Sequence, residues 1–285
     1  MNISRRVNYR NFGYIPGNGF IRDLYGWLFG YRNLYKRLQA RDMMKVLNIQ
    51  PDETVLDIGC GRGFITVEIA KQAKLAYGVD VDSVITEITI PKGLENKLKY
   101  VTINPGDPLP FEDSSMDKIF ASEIIAAVSD TTQFLGELKR LLKPGGKLVL
   151  CNGAGHPAIK AEYANPSQRF LNLKKQYPDS LPETYKEYCA ILNKIFSNQV
   201  DWFYEKEHLE KILTENGFKT GLVSYSPGLK PGTWMSWQQF TNHVKGGSTL
   251  SQNNFLLKHF VFSMMQRFDN RKYEGGILYE AINEK

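Results

Sequence analysis

The chain has 285 residues, 42% hydrophobic and 23% charged, ordinary values for a globular protein with a well-buried core. No stretch approaches the ~18 consecutive apolar residues of a membrane span, and Arg5 and Arg6 precede no apolar block of the secretory-leader kind. Cys60, Cys151 and Cys189 are odd in number and widely spaced, with no Cys-x-x-Cys pair, which argues against a disulfide framework or zinc site and predicts reduced thiols in a cytoplasmic protein.

The net charge of +6 is unevenly placed. Residues 1–50 carry nine Lys/Arg against Asp23 and Asp42, which leaves 27 basic and 28 acidic residues for the rest of the chain. A nearly neutral body weakens any nucleic-acid reading based on overall charge, and no nucleic-acid partner is expected. The same segment holds nine aromatics, among them Tyr25, Trp27 and Tyr31. From Phe20 onward Leu24, Leu28, Tyr31, Leu34, Tyr35 and Leu38 recur at helical spacing, while Arg37, Arg41 and Lys45 share another face. Two readings stand: a helix packed on the body with its basic side solvated, and a lid drawn to an anionic surface or head group.

Residues 55–58 form a short apolar run that breaks into glycine, as a buried parallel strand does on entering a ligand loop. Phe64, Val67, Ile69, Ala70 and Ala73 then follow helical spacing. Further strands are predicted at 76–80, 119–121 and 147–151, the last after a tight turn at Lys143-Pro144-Gly145-Gly146, with a helix over 132–142. Strands alternating with helices predict a parallel, doubly wound α/β sheet. After Gly155 the alternation stops, and segments near 158–176 and 183–198 read as helical. An amphipathic helix beginning at Glu205 and ending at Asn216-Gly217 feeds a strand near 219–225, and the last strand falls at 277–282. Between those two strands lies an apolar insertion with Phe255, Phe260, Phe262 and Phe268. An apolar ligand site, a membrane-facing entrance and a buried helix each account for it.

The loop Asp57-Ile58-Gly59-Cys60-Gly61-Arg62-Gly63 lets backbone approach a ligand closely, next to the free N–H groups of a helix start. Its spacing discriminates between ligands. A dinucleotide fingerprint needs glycine at position 64, where this chain has Phe64. Asp57 with the three glycines, then Asp80, then Gly106-Asp107 before Leu109-Pro110-Phe111, then Leu141-Leu142-Lys143-Pro144-Gly145-Gly146, stand in order along residues 51–152. In this they resemble the class I S-adenosylmethionine-dependent methyltransferase family.

The resemblance implies a Rossmann-like seven-stranded sheet with helical cap insertions and an N-terminal helical lid. It implies S-adenosyl-L-methionine as cofactor, with Asp57, Gly59, Cys60, Gly61 and Gly63 around its methionine part. Asp80 would bind the ribose hydroxyls, a role that suits a carboxylate because it can accept two hydrogen bonds from a diol. Val81 would lie against the adenine, Asp107 would accept from its amino group, and Pro108 and Ser122 would line the cofactor. The organisation expected is a basic, aromatic lid segment over 1–50 and a methyltransferase domain over 51–285. That domain carries an inserted helical cap at about 156–203 and a second insertion at about 227–274.

A methyl group on a sulfonium is already electrophilic, so the protein mainly holds the acceptor in line at about 3 Å and excludes water. Many family members carry Ser-Glu-Val-Leu-Glu-His-Val after the fourth strand; here the run is Ser122-Glu123-Ile124-Ile125-Ala126-Ala127-Val128. No histidine base carries over, which leaves Glu123 and His156 as candidate catalytic residues. No metal constellation is present in the sequence, and Cys60 reads as a loop filler. The leading reading is methylation of a small, apolar or lipid-like acceptor, with peripheral membrane contact through residues 1–50. The alternatives are an RNA methyltransferase and a non-catalytic protein that binds S-adenosylmethionine.

Overall fold

The computed structural model describes residues 34–153, 157–196, 206–225, 229–246, 264–265 and 276–284. Helix α1 (Leu34–Leu47) leads into β1 (Thr54–Ile58), α2 (Phe64–Ala70), β2 (Leu75–Asp80), β3 (Leu98–Thr102), β4 (Met116–Ser122), α3 (Thr131–Leu141) and β5 (Leu142–Gly153). There follow α4 (Pro157–Ala164), α5 (Gln168–Gln176), α6 (Tyr185–Phe196), α7 (Lys206–Glu215), β6 (Phe218–Tyr225), α8 (Leu229–Val244) and β7 (Gly276–Asn283). The strands form one seven-stranded sheet in the order β3-β2-β1-β4-β5-β7-β6. Strands β1 to β5 are parallel, and β7 runs antiparallel to both β5 and β6.

Both faces of the sheet are covered, and strand periodicity assigns each residue to one of them. Leu56, Ile119 and Leu148 pack with Leu135, Leu138 and Leu141 of α3 and with Leu209 and Leu213 of α7. Their neighbours Val55, Phe120 and Val149 pack with Met43 and Leu47 of α1 and Phe64 and Val67 of α2. Helix α3 starts where the Asp130 carboxylate accepts from the Gln133 amide at 2.8 Å, an N-cap that satisfies one otherwise orphaned donor. Over Ala40–Leu47 α1 lies on the sheet with Met43 and Leu47 buried and Arg41 and Lys45 exposed.

Because β5 and β6 are each antiparallel to β7, they point the same way. Helices α4 and α8, which follow them, therefore leave from the same edge of the sheet, the carboxyl edge of the parallel strands. They join there. Ile159, Phe170, Leu173, Tyr188, Trp237, Phe240 and Val244 form one buried cluster contributed by α4, α5, α6 and α8. Phe170 stacks on Phe240 with centroids 5.6 Å apart, and the Arg169 guanidinium lies 4.0 Å from the Trp237 ring centre.

Three expectations need correction. The alternation pattern did not place β3, because Leu98-Lys99-Tyr100-Val101-Thr102 is an edge strand with Lys99 and Thr102 exposed. The helix expected across 158–176 is two helices, broken at Asn165-Pro166, with Ser167 capping the second by accepting from the Phe170 amide at 3.3 Å. Pro144-Gly145-Gly146 lies within β5 as an irregularity: Met116 pairs with Leu142 and Lys118 with Lys147, so the intervening residues loop outward around Asp117. The Asp117 carboxylate holds that loop through Lys143 at 2.6 Å and the Thr54 amide at 2.8 Å. Residues 1–33, which include most of the expected lid, lie outside the described residues, as do His156 and all of the 255–268 stretch except Met264 and Met265. Among the described residues no helix is long and apolar enough to cross a membrane.

Candidate functional site

The order of strands reverses between β1 and β4, and in open α/β sheets the crevice at that switch point, outside the carboxyl ends, is where ligands bind. Ile58 pairs with Ala121 there, so the glycine loop and Ser122-Glu123 emerge side by side. Gly59, Gly61 and Gly63 have φ of 71°, 53° and 71°, a left-handed conformation at every second residue. That repetition is the physical content of the spacing, since side-chain-bearing residues adopt it at a cost. The loop is tied down from below: Gly59 and Cys60 amides donate to the Val79 carbonyl at 2.8 and 3.0 Å.

Two carboxylates serve this loop differently. Asp80, half-buried at the end of β2, accepts from the Gly61 amide at 2.7 Å and from the Asp82 amide at 3.0 Å. Asp57 is buried at the end of β1, and its carboxylate accepts from the Thr66 hydroxyl at 2.6 Å. Burial pushes the Asp57 carboxyl from an ordinary 3.8 up to about 7, and the charge of Asp80 adds to the effect. Burial also pushes the Cys60 thiol up, so Cys60 is a filler of the loop and not a thiolate nucleophile. Val81 is 53% exposed, an open apolar surface beside Asp80.

Asp107 sits apart from this pair, exposed in the turn after β3, where it accepts from the Asn104 side-chain amide at 2.8 Å. Pro108 beside it is exposed. Ser122 ends β4 opposite Cys151, and the next residue, Glu123, is half-buried with φ 56°. Its amide donates to the Cys151 carbonyl at 2.7 Å, which locks the backbone in that strained conformation. Ile125–Ala127 then form a 3₁₀ turn, with Ile125 buried. Among the described residues no group of three or more His, Cys, Asp or Glu could hold a metal.

Reasoning from the sequence alone missed Tyr100. Its ring fills the space above Gly78, where an added Cβ would lie 2.7 Å from the ring, and its hydroxyl reaches the Gly63 carbonyl at 3.4 Å. A glycine in mid-strand at 78 was the one available signal, since it marks a close approach. The site fits S-adenosylmethionine: a loop with glycine at every second position over 59–63, the Asp80 carboxylate at the end of β2, and the exposed apolar Val81 beside it.

The comparisons agree with this class of protein. Residues 56–150 match the family described as Methyltransferase domain. A demethylmenaquinone methyltransferase from Tropheryma whipplei is 30% identical over 181 residues, 63% of this chain and 72% of that protein. Phosphoethanolamine N-methyltransferase 2 from Caenorhabditis elegans is 29% identical over 60% of this chain but only 39% of its own length. A solved geranyl diphosphate methyltransferase structure with SAM bound superposes with a TM-score of 0.51 at 17% identity, covering 95% of this chain and 93% of that one. The chain belongs to the class I S-adenosylmethionine-dependent methyltransferase family. It is an enzyme with S-adenosylmethionine as its methyl donor, acting on a small molecule.

Proposed function

We propose that the acceptor is apolar or lipid-like and is methylated in line between the helical cap and the carboxyl edge of the sheet. The observation that carries this reading is the cap itself. Two insertions far apart in sequence leave from that edge and share one aromatic core. The relative named for demethylmenaquinone supports an acceptor of that kind.

In this reading Gly59, Cys60, Gly61 and Gly63, backed by Asp57, cradle the methionine part of the donor. Asp80 takes the ribose hydroxyls, Val81, Asp107 and Pro108 enclose the adenine, and Ser122 lines the floor. The donor supplies a methyl group already activated on a sulfonium, so the chain's work is orientation and exclusion of water. Glu123, fixed by its strained backbone beside the glycine loop, orients the acceptor and takes any proton it must lose. His156, which follows β5 in the sequence, is assigned to the acceptor side.

The proposed organisation is a lid segment over 1–50 on a methyltransferase domain over 51–285, with the cap at about 156–203 and the second insertion at about 227–274. The course of α1 supports it. A cavity of about 600 Å³ between α1 and α2 runs from Phe64, beside the glycine loop, down to Asn48 and Gln72. The Asn48 carbonyl accepts from Lys118, near the amino end of β4, at 2.6 Å. Traced backwards, α1 climbs about 20 Å toward the carboxyl edge, so Leu34, where the lid segment enters the described structure, lies on the side proposed for the acceptor. Peripheral contact of that segment with an anionic membrane surface, inside the cytoplasm, follows from the same reading.

Incubation with methyl-labelled donor and a total cellular extract is expected to place label in the organic-soluble fraction. Label in RNA, with binding that weakens steeply as salt rises, would favour an RNA acceptor. No transfer despite tight donor binding would favour a non-catalytic module. A second expectation separates binding from chemistry. Glu123→Gln should leave donor affinity within about twofold while turnover falls by roughly tenfold or more. Unchanged turnover would remove Glu123 from the acceptor site.

A further inference from the structure

One turn of α3 is joined to the stretch that follows Asp107 by an unusually dense set of bonds. Glu137 accepts from the Leu109 amide at 2.8 Å. Arg140 donates to the Leu109 carbonyl at 3.2 Å, the Phe111 carbonyl at 3.0 Å and the Asp113 carboxylate at 2.6 Å. The two side chains are locked to each other, with Arg140 donating to both Glu137 oxygens at 2.6 and 2.8 Å. The backbone carbonyl of Arg140 completes the set by accepting from the Ser114 amide at 2.9 Å.

The geometry is that of a brace. Glu137 and Arg140 lie three residues apart, on one face of the helix. The planar guanidinium presents its donors in a fixed fork, so three acceptors on the loop are held in one plane at once. The Arg140 hydrogen bonds hold the Glu137 carboxyl below its usual range, so it stays ionised as an acceptor. Beyond the brace the stretch is held by its apolar residues: Leu109 is buried in the core, and Phe111 packs against it and makes an edge contact with Tyr77 at 4.9 Å. Asp107 itself, two residues upstream, has only the local Asn104 turn to fix it among the bonds described.

We propose that Glu137 and Arg140 are positioning residues for adenine recognition: they fix the height and direction of the Asp107-Pro108-Leu109 turn without touching the donor. This rests on the reading of Asp107 as the partner of the adenine amino group. A stretch with no secondary structure of its own pays ordering entropy each time it closes on a ligand, and a brace that orders it beforehand removes that cost. A turn held in place also cannot shift to suit a different group at that position, so the brace serves selectivity for the 6-amino group as well as affinity.

The test compares S-adenosylhomocysteine with S-inosylhomocysteine, in which a carbonyl oxygen replaces the adenine amino group, by calorimetry on the full chain. One mismatched hydrogen bond is expected to give the wild type a preference of roughly tenfold or more for the adenine compound. In Glu137→Gln and Arg140→Met that preference is expected to fall below about threefold, with the thermal transition still cooperative. Arg140→Met removes four partners and carries the risk of unfolding; Glu137→Gln keeps the shape and supplies the answer in that event. If the folded variants keep the wild-type preference while Asp107→Ala abolishes it, the brace proposal is overturned and the site assignment stands. If Asp107→Ala also keeps the preference, the adenine assignment itself fails.

Discussion

Gly63→Ala is expected to abolish measurable donor binding and to destabilise the fold by about 2–5 kcal/mol, from a left-handed alanine and an overpacked contact together. Gly63 has φ 71°, and a Cβ added there would run into the Tyr100 hydroxyl. The loop cannot relax away from Tyr100, because the Gly63 amide is held by the Cys60 carbonyl at 2.9 Å and the Gly63 carbonyl accepts the first helical bond of α2, from Val67 at 3.0 Å. The origin of the loss can be separated by a double mutant. Tyr100→Ala in the Gly63→Ala background should recover part of the stability, because the obstacle is gone, while the backbone penalty persists. Calorimetric titration with S-adenosylhomocysteine and thermal melts read both quantities. Wild-type affinity in Gly63→Ala would falsify the cradle assignment.

Asp57→Asn is expected to change the pH dependence of stability. The folded carboxyl sits at about 7 against an ordinary 3.8. Between those values the folded chain holds a proton that the unfolded chain has released, so stability declines as pH rises through that window and levels off above it. The full effect is on the order of 4 kcal/mol, the size of a shift of about three units. Asparagine keeps an acceptor for the Thr66 hydroxyl at the same place and cannot ionise. The stability of Asp57→Asn relative to wild type should therefore rise by about 3 kcal/mol from pH 5 to pH 8, the part of the window that lies above pH 5. Chemical denaturation at the two pH values measures it, and parallel profiles for the two proteins would show that Asp57 titrates normally. The same substitution should weaken donor binding most at pH 8, where the wild type offers a buried negative charge to a cationic donor.

The glycine-loop half of the candidate site was legible because its signals are local. Gly59, Gly61 and Gly63 read as a loop that lets backbone approach a ligand, and Val55–Ile58 and Leu148–Leu150 betray buried strands by their apolar residues. What stayed hidden depends on contacts between distant residues. Tyr100 and Gly63 are 37 positions apart, and Arg140 and Leu109 are 31 apart, so neither pairing has a periodic trace. Edge strand β3 hides for another reason: with Lys99 and Thr102 in solvent it lacks the uninterrupted apolar run of its neighbours. The strain at Glu123 has no sequence signature, since nothing in Ser-Glu-Ile announces a positive φ. The two insertions could be seen separately, but their union through Phe170 and Phe240 could not.

The position of β7 between β5 and β6 sets an order of assembly. Strands β1 to β5, which carry the glycine loop, Asp80 and Ser122, come from the contiguous stretch 54–153 and pair among themselves. Strand β6 pairs with the sheet through β7 alone, so, although α7 before it already packs on α3, its ladder of backbone bonds cannot form until residues 276–283 have been made. Helix α8, which lies between them in sequence, is tethered to the sheet at both ends only after that event. A growing chain is thus expected to complete its nucleoside cradle early and its acceptor cap last, with the final strand acting as the latch that joins the two.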